Sequence, residues 1–283
     1  MFAEPEQSFV PAELGFDPRR SVRRMLAVMQ RHLFLLTGSW PRLFELVYWP
    51  TVQMILWGFI TRFLVTESSF VAQSAGIFLS AVLLWDTLFR GQLGFSLAFL
   101  EELYARHLGH LFVSPLRPWE LVVAVFGISL VRVLVGIGGA MLLAVPIFHF
   151  WLPGVLGWAL LPFFAMLLMF GWSIGLIIAG CLLRLGLGAE SLAWGIVFLL
   201  QPLSGVYYPV KTLPGFLQPI AWCLPSAHVF EGMRAVLVEN SFDLTHFFLG
   251  LLTLAVWMAV AAFFFILCFR HALREGLLLR QGE

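Results

Sequence analysis

The sequence predicts an all-α integral membrane protein with six transmembrane helices. The chain has 283 residues, of which 60% are hydrophobic and only 12% are charged, and its mean hydropathy is +0.92. A soluble globular domain carries about 25% charged residues. Apolar runs long enough to cross about 30 Å of hydrocarbon recur along the chain. These runs are continuous, whereas the strands of a membrane barrel alternate apolar and polar residues.

Six stretches are long and apolar enough to be membrane spans. Arginines precede the first span, lie between the second and third and between the fourth and fifth, and follow the last. The first two loops on the other side have none. Cytoplasmic loops are enriched in Lys and Arg, so both termini are expected in the cytoplasm. The predicted spans cover residues 43–65, 70–95, 121–148, 155–183, 191–210 and 246–269.

The segment before the first span is predicted to be an amphipathic helix in the inner membrane interface. Its apolar residues recur at helical spacing on one face, and its polar residues, with Ala27 among them, lie opposite. Such a helix suits the headgroup region. A surface helix on a soluble domain is the alternative, but no such domain is present. The apolar face comprises Val22, Met25, Leu26, Met29, Leu33 and Leu36, and the polar face Arg23, Arg24, Gln30 and Arg31.

The division that follows is a tail and interfacial helix over 1–42, a transmembrane domain over 43–271 and a cytosolic tail over 272–283. Residues 1–16 hold three glutamates and no Lys or Arg. A signal peptide needs a basic region followed by an apolar one. The N-terminal segment is therefore expected to stay on the protein as a cytosolic tail.

Between the second and third spans, residues 101–118 begin as a charged helical continuation and break at Ser114-Pro115. A short charged helix there suits docking into a groove of a soluble partner, although it also suits a loop that only reverses the chain. The residues assigned to this docking surface are Glu101, Glu102, Tyr104, Arg106 and His107.

Three charged residues fall inside the predicted spans. Asp86 and Arg90 are four residues apart, the spacing of an ion pair within one helix, and Arg132 lies at similar depth on the third span. Charges at membrane depth normally face a partner or water. Asp86 is therefore predicted to bridge Arg90, Arg132 or both. The group either fixes helix packing or contacts a substrate.

The external segment, residues 204–240, is apolar and interrupted by prolines. Such a segment predicts two short helices that dip into the outer leaflet, because irregular backbone at membrane depth requires protein or a water-filled cavity around it. It acts either as an outward gate or as a cap on the helix ends, and Glu231 and Arg234 are spaced to pair across one helical turn. The gate residues predicted are Gly205, Tyr207, Tyr208, Phe230, Glu231 and Arg234.

Two segments carry a resemblance to a known family. One runs from Arg90-Gly91-Gln92-Leu93-Gly94 to Pro115-Leu116-Arg117-Pro118, and the other is Gln201-Pro202-Leu203-Ser204-Gly205-Val206-Tyr207-Tyr208-Pro209-Val210. With the predicted topology, they resemble the membrane subunit of type-2 ABC exporters, most of all the nodulation-factor exporter branch. The resemblance implies a permease of the bacterial cytoplasmic membrane, working as a homodimer with two ATP-binding subunits. Its expected substrate is amphipathic: a glycolipid, a lipo-oligosaccharide or a hydrophobic drug.

The chain itself is not expected to be an enzyme or to bind a cofactor. It lacks a Gly-x-x-x-x-Gly-Lys-Ser/Thr phosphate loop, and Lys211 is its only lysine. ATP and Mg²⁺ therefore belong to the partner ATPase. The cysteines and histidines lack metal-ligand spacing, and no basic patch with aromatics indicates nucleic-acid binding. A lipid-modifying membrane enzyme and an ATP-independent channel or carrier are the alternatives.

Overall fold

In the computed structural model, the described residues are 17–67, 75–105 and 116–276, and every regular element within these ranges is helical. Three short 3₁₀ turns, Gly157–Ala159, Gly186–Ala189 and Val210–Thr212, join some of the α-helices. The α-helices are α1 (Pro18–Thr37), α2 (Trp40–Glu67), α3 (Ala75–Tyr104), α4 (Pro118–Phe148), α5 (Leu152–Leu156), α6 (Leu160–Leu185), α7 (Glu190–Leu200), α8 (Gln218–Trp222), α9 (Pro225–Glu239) and α10 (Leu244–Arg274).

Local signals in the sequence set several helix starts. The Asp17 carboxylate accepts a hydrogen bond from the Arg19 N–H at 3.0 Å, and Pro18 occupies the first turn of α1. The Asp243 carboxylate accepts from the backbone N–H groups of Thr245 and His246 at the start of α10. Each cap satisfies backbone donors that have no partner within the helix.

Four described helical segments are long and apolar enough to cross a membrane: Trp40–Phe63, Pro118–Phe148, Leu152–Leu185 and Leu244–Arg274. They correspond to the first, third, fourth and sixth predicted spans. Helix α3 has 30 residues, but it carries Asp86, Arg90 and Gln92 near its middle and is not among the four. The second and fifth spans therefore stay predictions.

The fifth predicted span, 191–210, is not one continuous helix. Helix α7 has 11 residues, which at 1.5 Å per residue is about 16 Å and too short for the hydrocarbon core. It ends at Leu200, and the chain turns through residues 201–205. Pro202 has no backbone N–H and so cannot continue the helical hydrogen bonding, and the helix ends two residues before it.

Helix α3 lies at the centre of the fold and forms its most extensive helix pair with α6. Gly171 on α6 permits this approach, because a Cβ there would lie 2.5 Å from the Leu88 backbone oxygen of α3. Ser129 of α4 donates a hydrogen bond to the Gly91 carbonyl of α3 at 2.9 Å. Small residues and such interhelical hydrogen bonds are the usual means of close helix packing in membranes.

Helix α1 packs against α4 and α2 with a face that differs in part from the predicted apolar stripe. Its buried residues are Ser21, Val28, His32 and Leu36, whereas Val22 and Leu26 of the stripe are exposed. Two arginines assigned to the polar face, Arg24 and Arg31, turn back onto the protein and bind Glu120 and Glu102.

We predict that Gly171→Ala destabilises the protein through the α3–α6 contact. The new methyl group would press on backbone, which does not yield as a side chain does, at a cost of about 1–3 kcal/mol in the free energy of unfolding. Gly138→Ala on α4 is the matched control, because a Cβ there meets nothing within 4 Å. Thermal melting in detergent, followed by tryptophan fluorescence, should separate the two variants. Equal melting temperatures would contradict the packing described.

Candidate functional site

A cavity of about 620 Å³ is lined mainly by residues of α2, α3 and α7. It extends from Leu36 and Arg42, where α1 and α2 meet, to Tyr207 in the segment after α7. Sites for small molecules commonly measure about 300–1,000 Å³ and are mostly apolar with a few placed polar groups. The aromatic lining residues are Trp49, Trp57, Trp85, Phe89, Trp194, Phe198 and Tyr207, and the charged ones are Arg42, Glu45, Asp86, Arg90, Glu101 and Arg132.

Contacts between aromatic rings form the wall of the cavity at its end near the external segment. The ring of Tyr207 stacks on Trp57 with centroids 4.4 Å apart, and its hydroxyl accepts a hydrogen bond from the Gln201 amide at 3.0 Å. Phe89 of α3 lies beside Phe198 of α7, with centroids 5.7 Å apart. Flat apolar walls with an occasional polar group suit an amphipathic ligand.

Buried charges lie along the rest of the cavity. The Arg90 Nε–H donates to Asp86 Oδ2 at 2.6 Å, within one turn of α3. Both side chains are about one-tenth exposed. The pair keeps the carboxylate and the guanidinium together in an apolar setting, where either one alone would be costly.

Asp86 pairs with Arg90, one of the two partners predicted for it, whereas Arg132 contacts Glu101. The Nη2 atom of Arg132 lies 3.5 Å from Glu101 Oε2. Side chains on a helix lean toward its N-terminus. Because α4 packs antiparallel to α3, Arg132 leans toward Glu101, and Glu101 leans back toward Arg132. Asp86 leans away from both.

The residues predicted to dock a partner protein do not form one shared surface in the structure. Glu101 faces the cavity and lies within 3.5 Å of His32, Arg42 and Arg132. Burial alone would raise the pKa of the Glu101 carboxyl, but these three neighbours outweigh burial and hold the pKa below its usual range. Tyr104 is exposed and donates a hydrogen bond to Glu190 at the start of α7. Arg106 and His107 lie outside the described residues.

Glu102 does not lie on an accessible surface. It is 1% exposed, because α1 covers it, and it accepts a hydrogen bond from Arg31 Nη2 at 2.9 Å. The sequence places it one residue from Glu101 and so does not separate a buried carboxylate from a cavity-facing one. Glu102 therefore holds α1 on α3, and any contact with a partner protein would be indirect.

The external segment closes on itself through Glu231 and Arg234, which pair across one turn of α9 as predicted. Glu231 Oε1 also accepts from the Val210 N–H at 2.6 Å. Arg234 Nη1 donates to the carbonyl of Gly205, which has a φ of +63°. Glycine tolerates this left-handed conformation without steric cost. The pair thus ties α9 to the turn after α7.

Two other residues assigned to the gate have structural contacts. Phe230 is fully buried and packs beside Trp85, with ring centroids 6.4 Å apart. It does not line the cavity, although its neighbour Trp85 does. The Tyr208 hydroxyl donates to the Pro202 carbonyl at 2.7 Å. Of the six predicted gate residues, only Tyr207 lies in the cavity wall.

The family model described as "ABC-2 type transporter" matches residues 26–238 of the chain. That match covers about three quarters of the sequence, so the chain belongs to the ABC-2 type transporter membrane family. It is a transport subunit with membrane-spanning helices, and its family works in general with an ABC ATPase. No curated protein matches the chain significantly. The nodulation-factor branch therefore stays a prediction.

We predict that Asp86 is energetically coupled to Arg90 and not to Arg132. Asp86→Asn combined with Arg90→Gln should cost less than the sum of the single changes, because neither partner is then left as an uncompensated buried charge. Asp86→Asn combined with Arg132→Gln should be additive to within about 0.5 kcal/mol. The free energy of unfolding in detergent measures both cycles. Coupling in the second cycle and none in the first would contradict this arrangement.

Proposed function

We propose that this chain is the permease subunit of an ATP-driven ABC exporter. It moves an amphipathic substrate, such as a glycolipid, a lipo-oligosaccharide or a hydrophobic drug, out of the cytoplasm or the inner leaflet. A separate ATPase binds ATP and Mg²⁺, and the chain acts in the bacterial cytoplasmic membrane with both termini in the cytoplasm. In this proposal α3 and α7, the latter with the turn that follows it, complete six crossings.

The cavity is the observation that carries this proposal. It joins a charged end, at Arg42 and Glu101, to an aromatic end, at Trp57 and Tyr207. An amphipathic molecule needs both kinds of surface, whereas a small ion would favour a polar, hydrated lining throughout. The family membership supports the proposed coupling to ATP hydrolysis. The size and lining of the cavity support its proposed role as the substrate path.

A second copy of the chain is the proposed partner across the cavity. Trp49 and Phe198 line the cavity yet are 52% and 60% exposed, so one side of the cavity is open. Other aromatic residues of α2 are also exposed, including Phe44, Phe59 and Phe63. A copy of the same face would cover these residues and convert the groove into an enclosed path.

The partner ATPase is proposed to act near the inner end of α3. Tyr104 is accessible there, and Glu101, three residues earlier, reaches the cavity wall. A displacement of this end of α3 would therefore move the charged end of the cavity directly. The remaining residues assigned to docking, Arg106 and His107, continue the same segment.

Transport by this route predicts a specific effect of Trp57→Ala. Loss of the stacked wall should raise the substrate concentration needed for half-maximal stimulation of ATP hydrolysis about tenfold, equivalent to about 1.4 kcal/mol. Trp151→Ala is the matched control, since Trp151 is exposed and outside the cavity. The measurement uses the chain and its ATPase in lipid vesicles, with a panel of glycolipids and amphipathic drugs.

The proposal also predicts that basal hydrolysis and assembly of the two subunits are the same in both tryptophan variants. A Trp57→Ala protein that matches Trp151→Ala for every stimulating compound would remove the cavity from the substrate path. Failure of any ATPase to copurify with the intact chain would contradict the proposed partnership itself.

A further inference from the structure

His228 of α9 and His246 of α10 meet through their ring nitrogens, near the start of each helix. The two Nδ1 atoms are 3.3 Å apart, and His228 Nε2 lies 2.9 Å from the Trp222 carbonyl oxygen. The Trp222 ring also lies beside both imidazoles, with its centroid 5.2 Å from that of His228 and 5.4 Å from that of His246. His228 is buried. These contacts join the end of α8 and the first turn of α9 to the start of α10.

The hydrogen bonds determine where the protons lie on the neutral rings. A carbonyl oxygen only accepts, so His228 Nε2 carries a proton and donates it to Trp222. A neutral imidazole has one N–H donor and one lone pair, so the Nδ1 of a neutral His228 accepts. His246 Nδ1 must then be the donor. The contact therefore requires one proton between the two Nδ1 atoms.

The contact cannot form when both rings are charged. One added proton is tolerated, because a ring that stays neutral can present a lone pair at Nδ1 to the N–H of the charged ring. With two added protons, both Nδ1 atoms carry hydrogen and point their N–H groups at each other. Two positive charges at this distance also repel, which disfavours the doubly charged pair further.

The surroundings balance one charged ring better than two. In the described part of the chain, Asp243 is the one carboxylate within 4 Å of a ring nitrogen of the pair, at 3.9 Å from His246 Nε2. Glu231 on α9 is already paired with Arg234, and α8 and the first half of α6 carry no ionisable side chain. Burial lowers the pKa of His228, and a charge on His246 acts in the same direction, against the opposing effects of the Trp222 carbonyl and Glu231.

We propose that the His228–His246 contact is a pH-dependent fastening between the start of α9 and the start of α10. It holds while at least one ring is neutral, and it is lost as the pH falls and both rings become charged. Phe230, two residues after His228, packs beside Trp85 of the cavity wall, so the fastening lies close to the cavity. This proposal goes beyond the transport function and does not depend on it.

The loosening should be local. Trp257 of α10 donates a hydrogen bond to the Cys223 carbonyl at 2.9 Å, and no ionisable group takes part in that bond. Far from the pair, residues 18–26 of α1 contain no histidine and are attached through Arg24 and Glu120. Guanidinium and carboxylate both stay charged over the range in which histidine titrates. Residues 18–26 therefore serve as an internal reference.

Hydrogen exchange of the full chain in lipid nanodiscs tests the proposal. Rates at about pH 7.5 and about pH 5.5 are corrected for the intrinsic pH dependence of amide exchange. Residues 224–232 should exchange about tenfold faster at the lower pH, because the loosened state binds about one proton more. Residues 18–26 should change by less than about twofold. A chain in which both segments respond equally, or neither responds, would overturn the proposal.

Variants of His246 separate the charge from the packing. An asparagine amide can offer an N–H or an oxygen in place of Nδ1 and does not titrate, so His246→Asn should exchange slowly over 224–232 at both pH values. His246→Ala removes the contact and should exchange rapidly at both. His271→Gln is the matched control, because His271 is exposed on the last turn of α10, and it should keep the wild-type response. An unchanged acid response in His246→Asn would contradict the role of the pair.

A spectroscopic measurement on the wild-type chain decides the question even if a variant fails to fold. With ¹⁵N-labelled histidine, His228 at about pH 7.5 should give the signature of a neutral ring protonated at Nε2. On acidification the pair should titrate in two steps, and residues 224–232 should loosen with the second step. Two rings that both become imidazolium near the ordinary value of about 6.5, while these residues stay protected, would refute the proposal.

Discussion

The structure depends on one constraint, which is that α3 carries charged side chains through an otherwise apolar bundle. Asp86, Arg90 and Glu102 are each less than a tenth exposed. A side chain buried to this extent is largely shielded from bulk water, so its charge needs a counter-charge at close range. Arg90 neutralises Asp86 within α3 itself, whereas Glu101 and Glu102 take their partners from α1, α2 and α4. These ion pairs hold the three helices around the C-terminal end of α3.

The same constraint accounts for the position of the cavity. One side of α3 packs closely on α6, where Gly171 lets backbones meet. The charged residues Asp86, Arg90 and Glu101 of α3 line the cavity, and Gln92 donates a hydrogen bond to the Ala193 carbonyl of α7. Helices α2 and α7 lie beside the charged face of α3 but leave a cavity next to it. The wall of this cavity is partly polar, as the proposed substrate path requires.

Much of the fold follows from the sequence, because apolar runs and arginine positions are local signals. The pairings of Asp86 with Arg90 and of Glu231 with Arg234 are equally local, since each occupies one helical turn. The Arg132–Glu101 contact joins residues 31 positions apart and depends on how α4 leans against α3. The periodicity of the sequence does not predict how these two helices pack against each other.

Two further differences have physical causes outside sequence patterns. The apolar stripe of α1 predicts its membrane face, but Ser21 and His32 are buried together with Val28 and Leu36. Ion pairs from Arg24 and Arg31 to carboxylates of α4 and α3 hold this side of α1 against the protein. Helix α7 looks long enough to cross a membrane when its apolar residues are counted through Val210. Pro202 ends it early, and the chain continues as turns held by Glu231 and Arg234.

The central claim is that the cavity-facing side of α3 is accessible to water while the opposite side is packed against protein. Single cysteines at two adjacent positions test it most directly, in a chain whose Cys181, Cys223 and Cys268 are replaced by serine. Leu97 lines the cavity and Ala98 is fully buried. In the reconstituted protein, Leu97→Cys should react with a water-soluble maleimide, and Ala98→Cys should stay unmodified until the protein is unfolded. Equal protection of the two cysteines would contradict the account.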